Sequence, residues 1–191
     1  HQSITANAVG TYMRTLENNF YDEGSPYAYD VDGRAYSLIG EAIYENRLKP
    51  FTLSTGASVN WKYMDNLYSG DVDSRNGIHR LGTYVYAQVN GSLQKLGYMA
   101  GVGVSNERYS QGGDANGYNY SYWLWRPKAQ LSYPLFAGMS LMYSIELAQH
   151  ISDIAMISDT RIRQNSMEWK VGNPMLKPNS RLEQNLTLAY A

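Results

Sequence analysis

Apolar and polar residues alternate along most of this chain, and the alternation is longest at residues 51–63. Phe51, Leu53, Thr55, Ala57, Val59, Trp61 and Tyr63 fall on one face of an extended segment, and Thr52, Ser54, Gly56, Ser58, Asn60 and Lys62 fall on the other. A period of two is the mark of a strand with one apolar and one polar face. The same split predicts strands over 96–104, 123–133 and 139–147, then over 81–89 and 182–190, with noisier alternation at 4–16 and 34–46. Short turns fall at 46–50, 90–95 and 134–138, and long polar stretches at 18–33, 65–77, 106–117 and 152–179. Short and long connections alternate, as they do in a run of antiparallel hairpins. The expected fold is therefore all-β. It is an up-and-down antiparallel meander of about eight long strands, with short turns at one end and long loops at the other.

Three features favour a lipid-facing barrel over a soluble sandwich, which could also produce alternation. First, strands of this length exceed the usual ~5–6 residues of globular proteins and suit the ~9–11 of a tilted membrane strand. Second, aromatic residues gather at strand ends: Phe51 with Trp61 and Tyr63, Tyr133 with Trp123 and Trp125, and Tyr98 and Tyr143 near short turns. Tryptophan and tyrosine girdles mark bilayer boundaries. Third, the polar faces carry Lys62, Arg80, Arg126, Lys128, Glu146 and Glu183 in mid-strand, which suits a water-filled lumen. A turn centred near Phe136 would set Glu146 opposite Arg126 and Ser144 opposite Lys128. Pro127 is then awkward, because a proline in a paired strand forfeits a ladder hydrogen bond.

Composition narrows the classes further. The chain has 191 residues, a formal net charge of −1, 17% charged residues and no cysteine. Near-neutral charge removes the electrostatic case for nucleic acid. Absence of cysteine removes disulfide frameworks, Cys-ligated zinc and thiol catalysis. Tyrosine is abundant, 18 against 3 phenylalanines, and a ring with a wet hydroxyl suits interfaces better than dry cores. No window approaches the ~18 apolar residues of a membrane helix, and no signal peptide opens the chain. The first residue, His1, suggests a processed product or an excised piece.

Near the C-terminus, Trp169-Lys170-Val171-Gly172-Asn173-Pro174-Met175-Leu176-Lys177-Pro178 precedes a strand over 181–191. This passage, with Gly172, Asn173, Pro174, Leu176 and Pro178 as its signature, resembles the barrel of TonB-dependent outer-membrane receptors, in the branch called the outer-membrane-protein β-barrel family. The resemblance is sharp over about 169–191 and architectural elsewhere. It implies a Gram-negative outer membrane, a barrel of roughly 22 strands and an N-terminal plug. Residues 1–191 then form a single region, a partial transmembrane β-barrel without the plug and the remaining strands. The implied partners are membrane lipid, the rest of the receptor, an energy-coupling inner-membrane protein and a surface lipoprotein. Two open strand edges would also invite self-association of the isolated piece.

Candidate chemistry is sparse. His1, His79 and His150 show no metal-ligand spacing. Asp71, Asp73, Asn76 and Gly77 invite a calcium reading, but Arg75 stands where an oxygen ligand is needed; these residues, and Asp30, Asp32 and Gly33, read as turn chemistry. No catalytic motif is present, so neither an enzyme nor a cofactor is expected. Loop aromatics are the candidate ligand contacts: Tyr27, Tyr29, Tyr68, Tyr118, Tyr120, Tyr122 and Trp169. The expected function is a share in an outer-membrane receptor that imports a bulky nutrient, such as an iron chelate, vitamin, peptide or glycan. The rival is a secreted β-sandwich adhesin or glycan-binding module. In that rival the face carrying Val102 and Val104 would be a dry core.

Overall fold

Every residue in the long alternating segments pairs with a neighbour, and the result is one continuous antiparallel sheet. The computed structural model describes residues 1–22, 26–71, 73–113, 118–150, 162–163, 168–173 and 175–190. In chain order the strands are β1 (Gln2–Tyr21), β2 (Tyr27–Leu48), β3 (Phe51–Gly70), β4 (Ser74–Leu93), β5 (Leu96–Gly113), β6 (Tyr118–Phe136), β7 (Met139–His150), the short pair β8 (Ile162–Arg163) and β9 (Trp169–Lys170), and β10 (Asn179–Tyr190). The main sheet has the order β1-β2-β3-β4-β5-β6-β7-β10, a meander with no crossover, and its first and last strands are not paired to each other. All eight expected strands are present.

Strands reach much further than the apolar alternation does. Residues 18–21, 27–33, 65–70, 74–77 and 106–113, expected as loop, belong to β1 through β5. The ladder continues from Leu16↔Asp32 up to Tyr21↔Tyr27, and from Asp65↔Gly77 up to Tyr68↔Ser74. Beyond the apolar segment polar, tyrosine and apolar side chains mix on both faces, as with Phe20, Val31 and Leu67, so the contrast that reveals a strand disappears while backbone pairing goes on unchanged. Of the four long connections expected, the one between β7 and β10 keeps its length.

The β6–β7 register also differs from the expectation. Glu146 stands opposite Lys128 and Ser144 opposite Gln130, and an irregularity between Pro134 and Phe136 absorbs the shift. The ion pair still forms, diagonally: Arg126 Nη2 donates to Glu146 Oε1 at 2.9 Å. Pro127 is no anomaly in this register. The ladder with β7 begins at Lys128↔Glu146, so the proline sits one residue beyond it and keeps only its β5 neighbour Val102.

The sheet is a single layer. Its accessible surface is 12415 Å², against about 9,200 Å² for a compact monomer of this mass. Val102 is 46% exposed and Val85 59%. Among the described residues no second sheet covers that face, so the sandwich architecture of the rival reading is absent. Among the described residues the apolar core is two small clusters: Ile78 with Tyr109, and Tyr27 with Tyr29 and Tyr68.

Glycine has a specific duty at the β3–β4 turn. Gly70 has φ +110°, and an added Cβ would stand 2.7 Å from the Ala28 carbonyl oxygen. Next to it, Asp71 N–H donates to that same oxygen at 2.8 Å, and the Asp71 carboxylate accepts from Ala28 N–H at 2.7 Å. Gly70→Ala is expected to lower stability by about 1–3 kcal/mol. Gly112→Ala, where a Cβ meets nothing within 4 Å, should be close to neutral. Thermal loss of β-sheet circular dichroism compares the two, and equal midpoints would contradict this account of the turn.

Candidate functional site

Two faces with opposite chemistry define what this sheet can do. The first presents Ile4 and Tyr12 on β1, Tyr36 and Leu38 on β2, Val59 and Trp61 on β3, Val85 on β4, Val102 and Val104 on β5, Trp123 and Trp125 on β6, Leu141 and Ile145 on β7, and Leu186 and Leu188 on β10. It forms a belt over 4–12, 36–44, 53–63, 81–89, 96–104, 123–133, 139–147 and 182–190. All of these residues are described, and no charged side chain lies on this face of the belt. Aromatic rows close it at both borders. Tyr12, Tyr36, Tyr63 and His79 face one another on consecutive strands with ring separations of 5.0, 6.1 and 4.3 Å. Tyr44, Phe51, Tyr98, Tyr133 and Tyr190 lie at the short-turn border.

Above the Tyr12–His79 row the same face becomes ionic within one residue pair. Arg14 donates to both oxygens of Asp32 at 3.0 and 2.9 Å, Arg34 lies 3.5 Å from Asp32, and Arg75 binds Asp65 at 3.0 and 2.9 Å. The hydrogen bond from Arg14 holds the Asp32 carboxyl below the usual carboxylate range, with the charges of Arg14 and Arg34 adding to it. These aspartates are committed to arginine. Among the described residues no group of three acidic or histidine side chains converges on a cation site.

The belt is not level with the rungs of the ladder. Ile145, near the top of the belt on β7, shares a rung through Ala129, Ala100, Val89, Leu53 and Asn46 with Gln2, which lies below the belt on β1. Across six strand-to-strand steps the belt slides by about eight residues, and with ~3.3 Å rise and ~4.8 Å spacing this levels it only if the strands tilt by about 40°. Closed barrels have strand tilts of about 35–45°.

The opposite face is polar and close-fitted. All six charges expected in a lumen, Lys62, Arg80, Arg126, Lys128, Glu146 and Glu183, fall on it. Arg80 Nε donates to Glu107 at 3.2 Å, with both side chains largely buried. Arg126 lies 4.6 Å over the Tyr84 ring and Lys128 5.0 Å over Tyr86, and those two rings stack at 5.3 Å. Tyr86 covers Gly56, where a Cβ would come within 2.5 Å of its ring, and Tyr84 covers Gly103 in the same way.

The seven candidate aromatics divide into two groups on this polar face, above the level of the belt. Tyr27, Tyr29 and Tyr68 are buried together, with centroids 5.7 and 6.3 Å apart, and Tyr21 joins them at 6.4 Å. Trp169, from β9 in the connection between β7 and β10, meets Tyr27 edge-on at 6.1 Å. Four of the seven thus make one cluster, which ties the long connection back to β2. Tyr118 and Tyr120, half-exposed, pack with Tyr109 at the top of β5 and β6, with Tyr109–Tyr120 stacked at 5.3 Å. Tyr122 lies on the same face one pair below. Sequence reading missed Tyr109 and Tyr21, both placed beside these groups by strand extensions that carry no apolar alternation.

Within the signature passage, Asn173 makes the turn: its carbonyl accepts from Leu176 N–H at 3.1 Å and its Oδ1 from Met175 N–H at 2.9 Å. Gly172 precedes it, Pro178 is buried just before β10, and Pro174 lies outside the described residues. No family model matches the chain, and no curated protein matches its sequence.

Burial, followed by the neighbouring Tyr21, Tyr27 and Tyr68, pushes the Tyr29 phenol up to about 12. The folded protein therefore holds this proton more tightly than the unfolded chain, whose tyrosines titrate near ~10. Its contribution to stability is whole below about pH 10 and is lost as pH rises toward about 12. The phenolate absorbance should show a late component near that upper limit, missing in Tyr29→Phe. A single titration near ~10 in both proteins would contradict the buried cluster.

Proposed function

We propose that this chain is part of the wall of a transmembrane β-barrel in the outer membrane of a Gram-negative bacterium. The observation that carries the reading is the uncharged belt. Each strand gives it about nine to eleven residues, the length a tilted membrane strand needs, and at ~40° tilt the belt stands about 25 Å tall. Its aromatic borders and the abrupt change to ion pairs above Tyr12–His79 suit an interface between lipid and water. Facing lipid also gives the exposed Val85, Val102, Trp125 and Leu186 an apolar neighbour, which water does not.

Within that wall the polar face lines the lumen, and β1 and β10 are the edges at which the remaining strands pair. The turn at Gly172–Asn173 and the strand after Pro178 support the finer reading, a TonB-dependent receptor taking up a bulky nutrient. In that receptor the end bearing the long connection faces outward. Tyr118, Tyr120 and Tyr122, half-exposed on the lumen face, and the exposed Trp169 offer rings and hydroxyls to a ligand entering from outside. Onward movement then depends on the plug and on the energy-coupling inner-membrane protein, with a surface lipoprotein as a further partner.

The two faces give opposite expectations for one substitution. Val102→Arg puts a charge into the belt and should cost about 2–4 kcal/mol, reducing the protein recovered in the outer-membrane fraction. Ser58→Arg, on the lumen face beside Asn60 and Tyr84, should insert normally. Equal insertion of both variants, or a protein that stays monodisperse without detergent, would refute the barrel-wall reading.

A further inference from the structure

Four arginines lie on the belt's face above the belt, and three of them contact a carboxylate: Arg14 and Arg34 share Asp32, and Arg75 binds Asp65. Arg108 differs. Among the described residues no carboxylate pairs with it, because the adjacent Glu107 points to the opposite face and binds Arg80. Its Nε donates to Asn106 Oδ1 at 3.1 Å, and Asn106, itself buried, is anchored through Nδ2 to Ser121 Oγ at 2.9 Å and to the Tyr122 carbonyl at 3.3 Å. The guanidinium is therefore held in place at one nitrogen, and among the described residues nothing binds its two terminal nitrogens.

It stands in a depression of about 440 Å³ at the upper border of the belt. Trp61 and Leu81 form the apolar lower side, and His79, Ser110, Asn119 and Ser121 join Arg108 on the polar upper side. A ligand for this place needs an apolar body against Trp61 and Leu81 and an anion one step higher. Guanidinium forks match phosphate oxygens with paired, charge-assisted hydrogen bonds, and neighbouring hydroxyl and amide donors can take up the remaining oxygens.

We propose that this depression binds the phosphate of an outer-leaflet lipid, with Arg108 as the principal contact and the acyl chains laid on Trp61 and Leu81. The proposal rests on the membrane reading above. Its ligand class is a lipid phosphate at the upper interface, where a guanidinium meets an anion beside apolar surface.

Native mass spectrometry of the full chain in detergent micelles tests it, with a phosphatidic acid, the diacylglycerol of the same chains and inorganic phosphate as probes. The wild type should retain one phosphatidic acid about tenfold better than the diacylglycerol, a preference reduced to near parity in Arg108→Gln. Arg14→Gln, at an arginine bound to a carboxylate on the same face, should keep the preference, and excess inorganic phosphate should leave the bound lipid in place. The proposal is overturned if Arg108→Gln retains the lipid as well as the wild type does. Equal loss in Arg14→Gln would also overturn it, as a general charge effect, and displacement by inorganic phosphate would make this a free-anion site. A failure of the membrane reading itself shows separately, as a protein that needs no detergent, whatever the lipid ratio.

Discussion

Antiparallel pairing without a break, from β1 through to β10, is the constraint on which the rest depends. Most strands are joined to the next along nearly their whole length, so the described strands of the main sheet satisfy their backbone groups in one layer. One layer has two faces, and period-2 side-chain geometry then sorts residues between them with no further choice. Apolar residues go to one face over a limited height, and polar residues go to the other. The apolar face, which no other described element covers, is the unusual consequence, and aromatic rows and ion pairs border it.

The polar face shows why tyrosine takes the place of phenylalanine. A ring on this face must cover neighbouring backbone without presenting a wholly apolar surface. Tyr84 and Tyr86 do so by lying over Gly103 and Gly56, with Arg126 and Lys128 above them. Replacing those glycines with larger residues would lift the rings off the sheet. The short side chains of β5, Gly101, Gly103 and Ser105, are therefore the counterpart of large ones on β4, Gln88, Tyr86 and Tyr84. Large-against-small pairing holds a single-layer sheet stiff where it has no core to rest on.

Legibility in the sequence followed the belt closely. All eight strands, the two faces and the three short turns could be read because apolar contrast is strongest there. Above the belt that contrast ends, and the upper parts of β1 to β5 were invisible for that reason. The candidate site suffered most, since Tyr27, Tyr29, Tyr68 and Tyr118 stand in this upper region. Their residue type identified them as aromatic contacts, while their grouping depended on register. Trp169 is the clearest case: it is far from Tyr27 in sequence, and only the placement of β9 brings the two rings together.

The sequence by itself determined the class of fold, the number of main strands and which residues share a face, because all three follow from a local period of two and from turn residues. Tertiary structure alone decided the register, the true strand ends and the slide of the belt across the rungs. Those are relations between strands, settled by which hydrogen-bonded pairs fit together. A shift of two residues, as at Lys128↔Glu146, keeps every side chain on its face and so leaves no trace in the alternation. Alternation along one strand is blind to its neighbour's position, and the tyrosine clusters and the setting of Arg108 beside an Asn106 anchored to Ser121 arise only from that position.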